Sequence, residues 1–221
     1  MSTISPSLIH TLSLMMIFTS FAAVEARNLR HATLAYMAQA LLICCLLGAY
    51  ASQNVALYYW AATALVTKAV LVPWFLWRST EGSEEETKPV IGFGISAVLV
   101  IVLLATMYRF THAHAGLFIN IRGQTVALAE TNLAVAFTVF ALGLYGILTR
   151  RDAVKTVVGL CLLENGVHLS LVSLAPNLKE TALAGIATEV VVTVYLLLYI
   201  IGGIREKVGT TDTFRLTELH W

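Results

Sequence analysis

Seven apolar runs, each long enough to cross a lipid bilayer, leave this chain of 221 residues few ways to fold. They cover residues 8–24, 33–50, 56–77, 90–108, 126–148, 156–174 and 182–203. A helix rises about 1.5 Å per residue, so a hydrocarbon core of about 30 Å takes about 20 apolar residues to span. Inside lipid, backbone N–H and C=O groups must be bonded within the protein, which leaves helices or closed β-barrels. Barrel strands alternate apolar and polar residues. These runs are apolar on all sides, so the reading is an all-α, polytopic bundle of about seven transmembrane helices. The composition agrees, with 58% hydrophobic and 12% charged residues. A soluble domain carries about 25% charged residues, and half of that cannot clothe its surface. A net charge of +1 offers no field for nucleic acid.

The first run is expected to be a retained helix. Ala23-Val24-Glu25-Ala26 has the small residues of a signal cleavage site, but residues 1–9 hold no Lys or Arg. Basic residues set the orientation. With the N-terminus outside, the inner segments hold ten Lys and Arg: Arg27, Arg30, Arg78, Lys88, Arg150, Arg151, Lys155, Arg205, Lys207 and Arg215. The outer segments hold three, Arg109, Arg122 and Lys179, and the C-terminus is cytoplasmic. The acidic loop 79–89 is polar, segment 112–124 is expected on the outer surface, and the amphiphilic stretch 214–221 is expected to dock on a partner or the membrane. Gly143, Gly146, Gly202 and Gly203 place small residues where helices can pack closely. Cys44, Cys45 and Cys161 all sit in apolar runs and read as small buried hydrophobes, not as a disulfide or metal set.

Ionisable residues deep in a span are costly and normally face a bundle interior or a watery path. Three stand near the middle of their spans: Lys68, Glu164 and Glu189. If their helices are neighbours, these groups form a row at one depth, as lateral proton movement requires. Desolvation disfavours the charged form of acid and amine alike, which brings proton gain and loss within reach. His168 lies one turn beyond Glu164 on the same helix face. The two can share a proton; alternatively, Glu164 stays protonated and bonds a backbone carbonyl. Lys68 has no partner evident in the sequence. Pro73, five residues on, removes a backbone donor and is expected to kink the helix and open carbonyls near Lys68. Glu130 and Arg109 read as interface residues at outer helix ends, and His112-Ala113-His114 supplies too few ligands for a metal. No phosphate loop, H-E-x-x-H or nucleophile elbow is present in the sequence.

Four stretches carry a resemblance: residues 66–73 around Lys68, Gly159-Leu160-Cys161-Leu162-Leu163-Glu164-Asn165-Gly166-Val167-His168-Leu169, Gly185-Ile186-Ala187-Thr188-Glu189, and Gly209-Thr210-Thr211-Asp212 leading into residues 216–219. Over nearly its whole length the chain resembles component E of the hydrogenase-4, formate hydrogenlyase-type membrane arm. Its last three spans also resemble the NuoK subunit of respiratory complex I and the MrpC subunit of cation/proton antiporters. NuoK places a conduction glutamate directly after the Gly-Leu pair; here that place holds Cys161, and the acid appears at Glu164. Three residues advance about 300° and 4.5 Å along a helix, so the carboxylate returns near the same face. Glu189 matches the second NuoK acid without shift.

The resemblance implies three parts: a four-helix membrane region (1–125), a NuoK-like three-helix region (126–204) and a cytoplasmic tail (205–221). It implies a non-catalytic subunit of the inner (plasma) membrane with no cofactor of its own. Its proton path would comprise Glu164, Glu189, Lys68 and His168. Its partners would be lipid, antiporter-like subunits, a membrane anchor, and soluble hydrogenase and iron–sulfur subunits carrying iron–sulfur clusters and a nickel–iron site. The alternatives are a structural adaptor without a proton role, a subunit of a cation/proton antiporter, and a self-contained membrane enzyme.

Overall fold

A computed structural model of the chain describes residues 6–51, 56–80, 91–114, 126–174 and 180–213, with side chains described for all of these except 6, 56, 126–129 and 180–188. Helix α1 is Pro6–Glu25 and α2 is Leu29–Tyr50. The third span joins α3 (Ala56–Ala64), a π-helical segment (Leu65–Leu71) and α4 (Val72–Ser79). Then come α5 (Phe93–Ala113), α6 (Val126–Thr149), α7 (Ala153–Leu174) and α8 (Glu180–Val208). Six stretches can cross a membrane by length and composition: Ser7–Glu25, Leu29–Tyr50, Leu57–Ser79, Phe93–Ala113, Glu130–Thr149 and Ala153–Leu174. Helix α8 is 29 residues long, and between residues 182 and 203 its sequence carries one charged residue, Glu189. Among the described residues there is no strand, only a single antiparallel bridge between Asp152 and Asp212. The acidic loop and the amphiphilic stretch 214–221 lie outside the described residues, as does most of segment 112–124.

Local chemistry sets the helix ends. Asn28 caps α2 by accepting from the Arg30 N–H, and Asp152 caps α7 by accepting from the N–H groups of Val154 and Lys155. Gly209, at φ +79°, closes α8 in the left-handed conformation that glycine adopts freely, and its N–H donates to the Arg205 carbonyl. The third span does not simply kink at Pro73. The helix widens before the proline, and the Val72 N–H reaches back five residues to the Thr67 carbonyl. Pro73 cannot bond residue 69 and its ring crowds that carbonyl; a π turn accommodates both.

Helices α6 and α7 touch backbone to backbone. A Cβ on Gly143 would lie 2.6 Å from the Gly159 carbonyl oxygen, and one on Gly166 would lie 2.6 Å from the Phe140 nitrogen. Any side chain there would separate the helices. Gly146 admits Val24 of α1 at 3.2 Å from where its Cβ would be. Gly202 and Gly203 behave otherwise: a Cβ there would meet nothing within 4 Å, so they do not pack within the chain. Their face of α8 is exposed. Cys44 and Cys161 are buried as expected, whereas Cys45 is exposed, and all three are free thiols.

The ends near residue 150 are tied by charge. Arg150 pairs with Glu25 at the end of α1, both side chains nearly fully buried. Lys155 Nζ donates to the Val24 carbonyl at 3.0 Å and to that of Ala26, covering carbonyls that the end of α1 leaves without helical partners. The start of the tail returns to the same place. The Ala153 N–H donates to the Thr211 carbonyl, the Thr213 N–H to the Arg151 carbonyl, and the Thr211 hydroxyl to Asp152 Oδ2 at 2.6 Å. In contrast, α5 lies at the edge of the bundle and exposes Ile95, Val98, Ile101 and Val102.

Candidate functional site

The site forms where the π-helical segment crosses α7. A π turn puts more residues into each turn than an α-helix does, and this one directs Lys68 inward until its side chain is 1% exposed. Lys68 Nζ lies 3.0 Å from Glu164 Oε1, 2.8 Å from Asn165 Oδ1 and 2.5 Å from His168 Nδ1. The Glu164 contact is an ion pair at charge-pairing distance without hydrogen-bond alignment. His168 Nε2 faces the same Oε1 at 3.5 Å. The indole of Trp60 stands edge-on to the His168 ring, centroids 5.1 Å apart, and walls that side with apolar surface.

Lys68 is therefore not the unpaired lysine that its sequence surroundings suggest. It meets a carboxylate and an imidazole from α7, one turn apart in sequence, as the spacing of Glu164 and His168 predicts. The three groups form a contact cluster and not a spaced row. Burying two opposite charges costs several kcal/mol of hydration per ion, roughly, and the expense is recovered only when the pair is close and further bonded. Here Asn165 and His168 supply those further contacts.

Glu164 is the outlet of the cluster. Its side chain keeps 24% of its exposure and opens onto a groove of about 300 Å³ between α7 and α8. Cys161, Glu164 and His168 line the groove from α7, and Glu189, Val190 and Thr193 line it from α8. Glu189 is exposed at the rim and does not face the bundle interior. Thus all four expected residues converge, three in contact and the fourth across the groove. Cys161 and Glu164 share this one groove, so the displaced acid looks into the same space as the position three residues earlier.

Three further polar residues escaped the reading by charge. Asn165 bonds Lys68; its Nδ2 donates to Gln39 Oε1 at 3.2 Å, and Gln39 Nε2 donates to Ser20 Oγ at 2.6 Å. A signal was present: an amide within an apolar run needs a partner in lipid as a charge does. Asn132 obeys the same rule, accepting from the Ser13 hydroxyl at 2.7 Å and donating to Tyr50. At the opposite edge Glu130 pairs with exposed His112 at 3.1 Å. Among the described residues no three His, Cys, Asp or Glu side chains gather as metal ligands.

Comparison with known proteins adds an independent line. The family model of NADH-ubiquinone/plastoquinone oxidoreductase chain 4L matches residues 131–221, which include Glu164, His168 and Glu189. Along 96% of its length the chain is 26% identical to hydrogenase-4 component E of Escherichia coli, of which it covers 97%. Over 95 residues, 40% of the chain, it is 32% identical to subunit 4L of an NAD(P)H-quinone oxidoreductase from Nostoc, of which it covers 94%. No solved structure matches the chain.

Proposed function

We infer, from the premise that the chain belongs to the hydrogenase-4 component E family and carries a chain 4L-type unit over residues 131–221, that it is a proton-handling membrane subunit of a complex I-like, hydrogenase-type redox complex. One observation carries the proton role: a buried amine, acid and imidazole in contact, opening through the acid onto a groove with a second acid on its far wall.

The chemistry follows from the contacts. A proton that reaches Glu164 from the groove neutralises the counter-charge of the Lys68 ammonium. An ammonium left alone in a low dielectric is costly. It is then held by the acceptors that remain, Asn165 Oδ1 at 2.8 Å and His168 Nδ1 at 2.5 Å. Loss of the proton from Glu164 reverses the sequence. The cluster thus stores one proton at a time, and Glu189 is the group that exchanges with Glu164 across the groove.

In this reading the chain itself catalyses no redox step and holds no redox cofactor. Soluble partners carry the iron–sulfur clusters and the nickel–iron site. The four-helix region 1–125 and the three-helix region 126–204 lie in the inner membrane, N-terminus outside and tail in the cytoplasm, as the ten-to-three bias of basic residues supports. Antiporter-like subunits meet the rim of the groove and the exposed apolar face of α5.

The test is the ratio of protons translocated to electrons transferred in the assembled complex in membrane vesicles. Glu164→Gln is expected to lower it at least about tenfold, with complex abundance preserved. An unchanged ratio in Glu164→Gln and Glu189→Gln alike would refute the proton path. It would leave the chain as an adaptor between neighbouring subunits.

A further inference from the structure

The donor-only chemistry of an ammonium fixes the sense of a hydrogen-bonded chain that leaves the acid cluster and crosses two more helices. Lysine in its charged form has N–H groups and no acceptor. Asn165 must therefore present Oδ1 to Lys68 Nζ, at 2.8 Å. That turns Asn165 Nδ2 toward α2, where it donates to Gln39 Oε1 at 3.2 Å. Gln39 is left with Nε2 for α1 and donates to Ser20 Oγ at 2.6 Å. Ser20 sends its own proton to the Met16 carbonyl at 2.5 Å. Four donors point the same way, from Lys68 to the backbone of α1. Ser20, Gln39 and Asn165 are each 0% exposed, and none lines the groove. Turning either amide over would set donor against donor or acceptor against acceptor in a dry site, leaving buried polar groups unsatisfied.

The consequence for Lys68 is specific. Asn165 offers it an acceptor and never a donor, so one N–H of the lysine stays committed to the α1–α2 side. The lysine proton that can move is one facing Glu164 or His168. We propose that Ser20, Gln39 and Asn165 are positioning residues. Locked in sense by the Met16 carbonyl, they hold Lys68 so that its exchangeable protons face only the acid–imidazole pair. Their effect on transport rests on the proton-path reading; their effect on the Glu164 carboxyl does not. The titratable groups surrounding the pair are Tyr36 and Cys44 from α2, Cys161, Glu164 and His168 from α7, and Glu189 from α8.

The experiment uses Gln39→Leu, Ser20→Ala and Ser20→Thr in the intact complex in native membranes. It reads the pH profile of proton translocation per electron and the infrared carbonyl band of Glu164, identified by its loss in Glu164→Gln. Gln39→Leu is expected to move the profile by about one pH unit and to shift the band. Ser20→Ala should do the same to a smaller extent, and Ser20→Thr, which keeps the hydroxyl, should match the parent. Wild-type band and profile in both Gln39→Leu and Ser20→Ala would overturn the proposal. If Gln39→Leu does not assemble, Ser20→Ala decides alone, a shifted band supporting the anchor and an unshifted one overturning it. Full translocation in Glu164→Gln would sink the proton path, and the band would still judge the anchor separately.

Discussion

On one side of α7, Gly159, Leu163 and Gly166 lie against α6 so closely that backbone meets backbone. On the other, about 170° around the helix axis, Cys161, Glu164 and His168 line a groove of about 300 Å³. The same 22-residue helix is thus a packed wall on one face and one side of a groove on the other. Removing side chains brings helices together through dispersion. Keeping polar ones on the far face needs a partner for each, and leaves space where a partner is shared across the groove. The difference teaches that close packing and buried polar chemistry are separated by azimuth on one helix and not by position along the chain.

Breaking the packed face should have the largest effect. Gly143→Leu and Gly166→Leu each drive a side chain into the backbone of the facing helix, and neither is expected to yield assembled complex on native gels of solubilised membranes. On the open face, Glu164→Gln should leave the complex abundant and cost at least about tenfold in protons per electron, measured in vesicles. Glu189→Gln removes the rim acid and not the buried one, and should cost about threefold by the same measurement. The smallest effect belongs to a control glycine. Gly202→Ala finds nothing within 4 Å to collide with and should change neither abundance nor coupling. Loss of assembly there would mean that a neighbouring subunit seats on that face.

The spans were legible because the cost of unbonded backbone in lipid acts on any sequence, whatever it packs against. The identities of Lys68, Glu164, His168 and Glu189 were legible for a similar reason, since a charge at mid-span is conspicuous. The contact between Lys68 and Glu164 was not. It depends on the direction in which residue 68 leaves its helix, and the π turn resets that direction by departing from 3.6 residues per turn. Asn165 stands beside Glu164, but a reading by charge does not select it, because an amide carries none. The pair Gly202-Gly203 meets nothing within this chain: small residues permit close approach, and the sequence does not say to what.

The staple between residues 151–153 and 211–213, with the Arg205 bond to the Ser79 carbonyl at 3.2 Å, secures one end of α8 to two neighbours at once. Glu189 stands 16 residues up that helix from Arg205, about 24 Å away at 1.5 Å per residue. A tilt of 10° about that end would carry Glu189 through about 4 Å. The separation of the two acids is thus sensitive to small changes in the tilt of α8, which α3 and α4 also hold by packing along it.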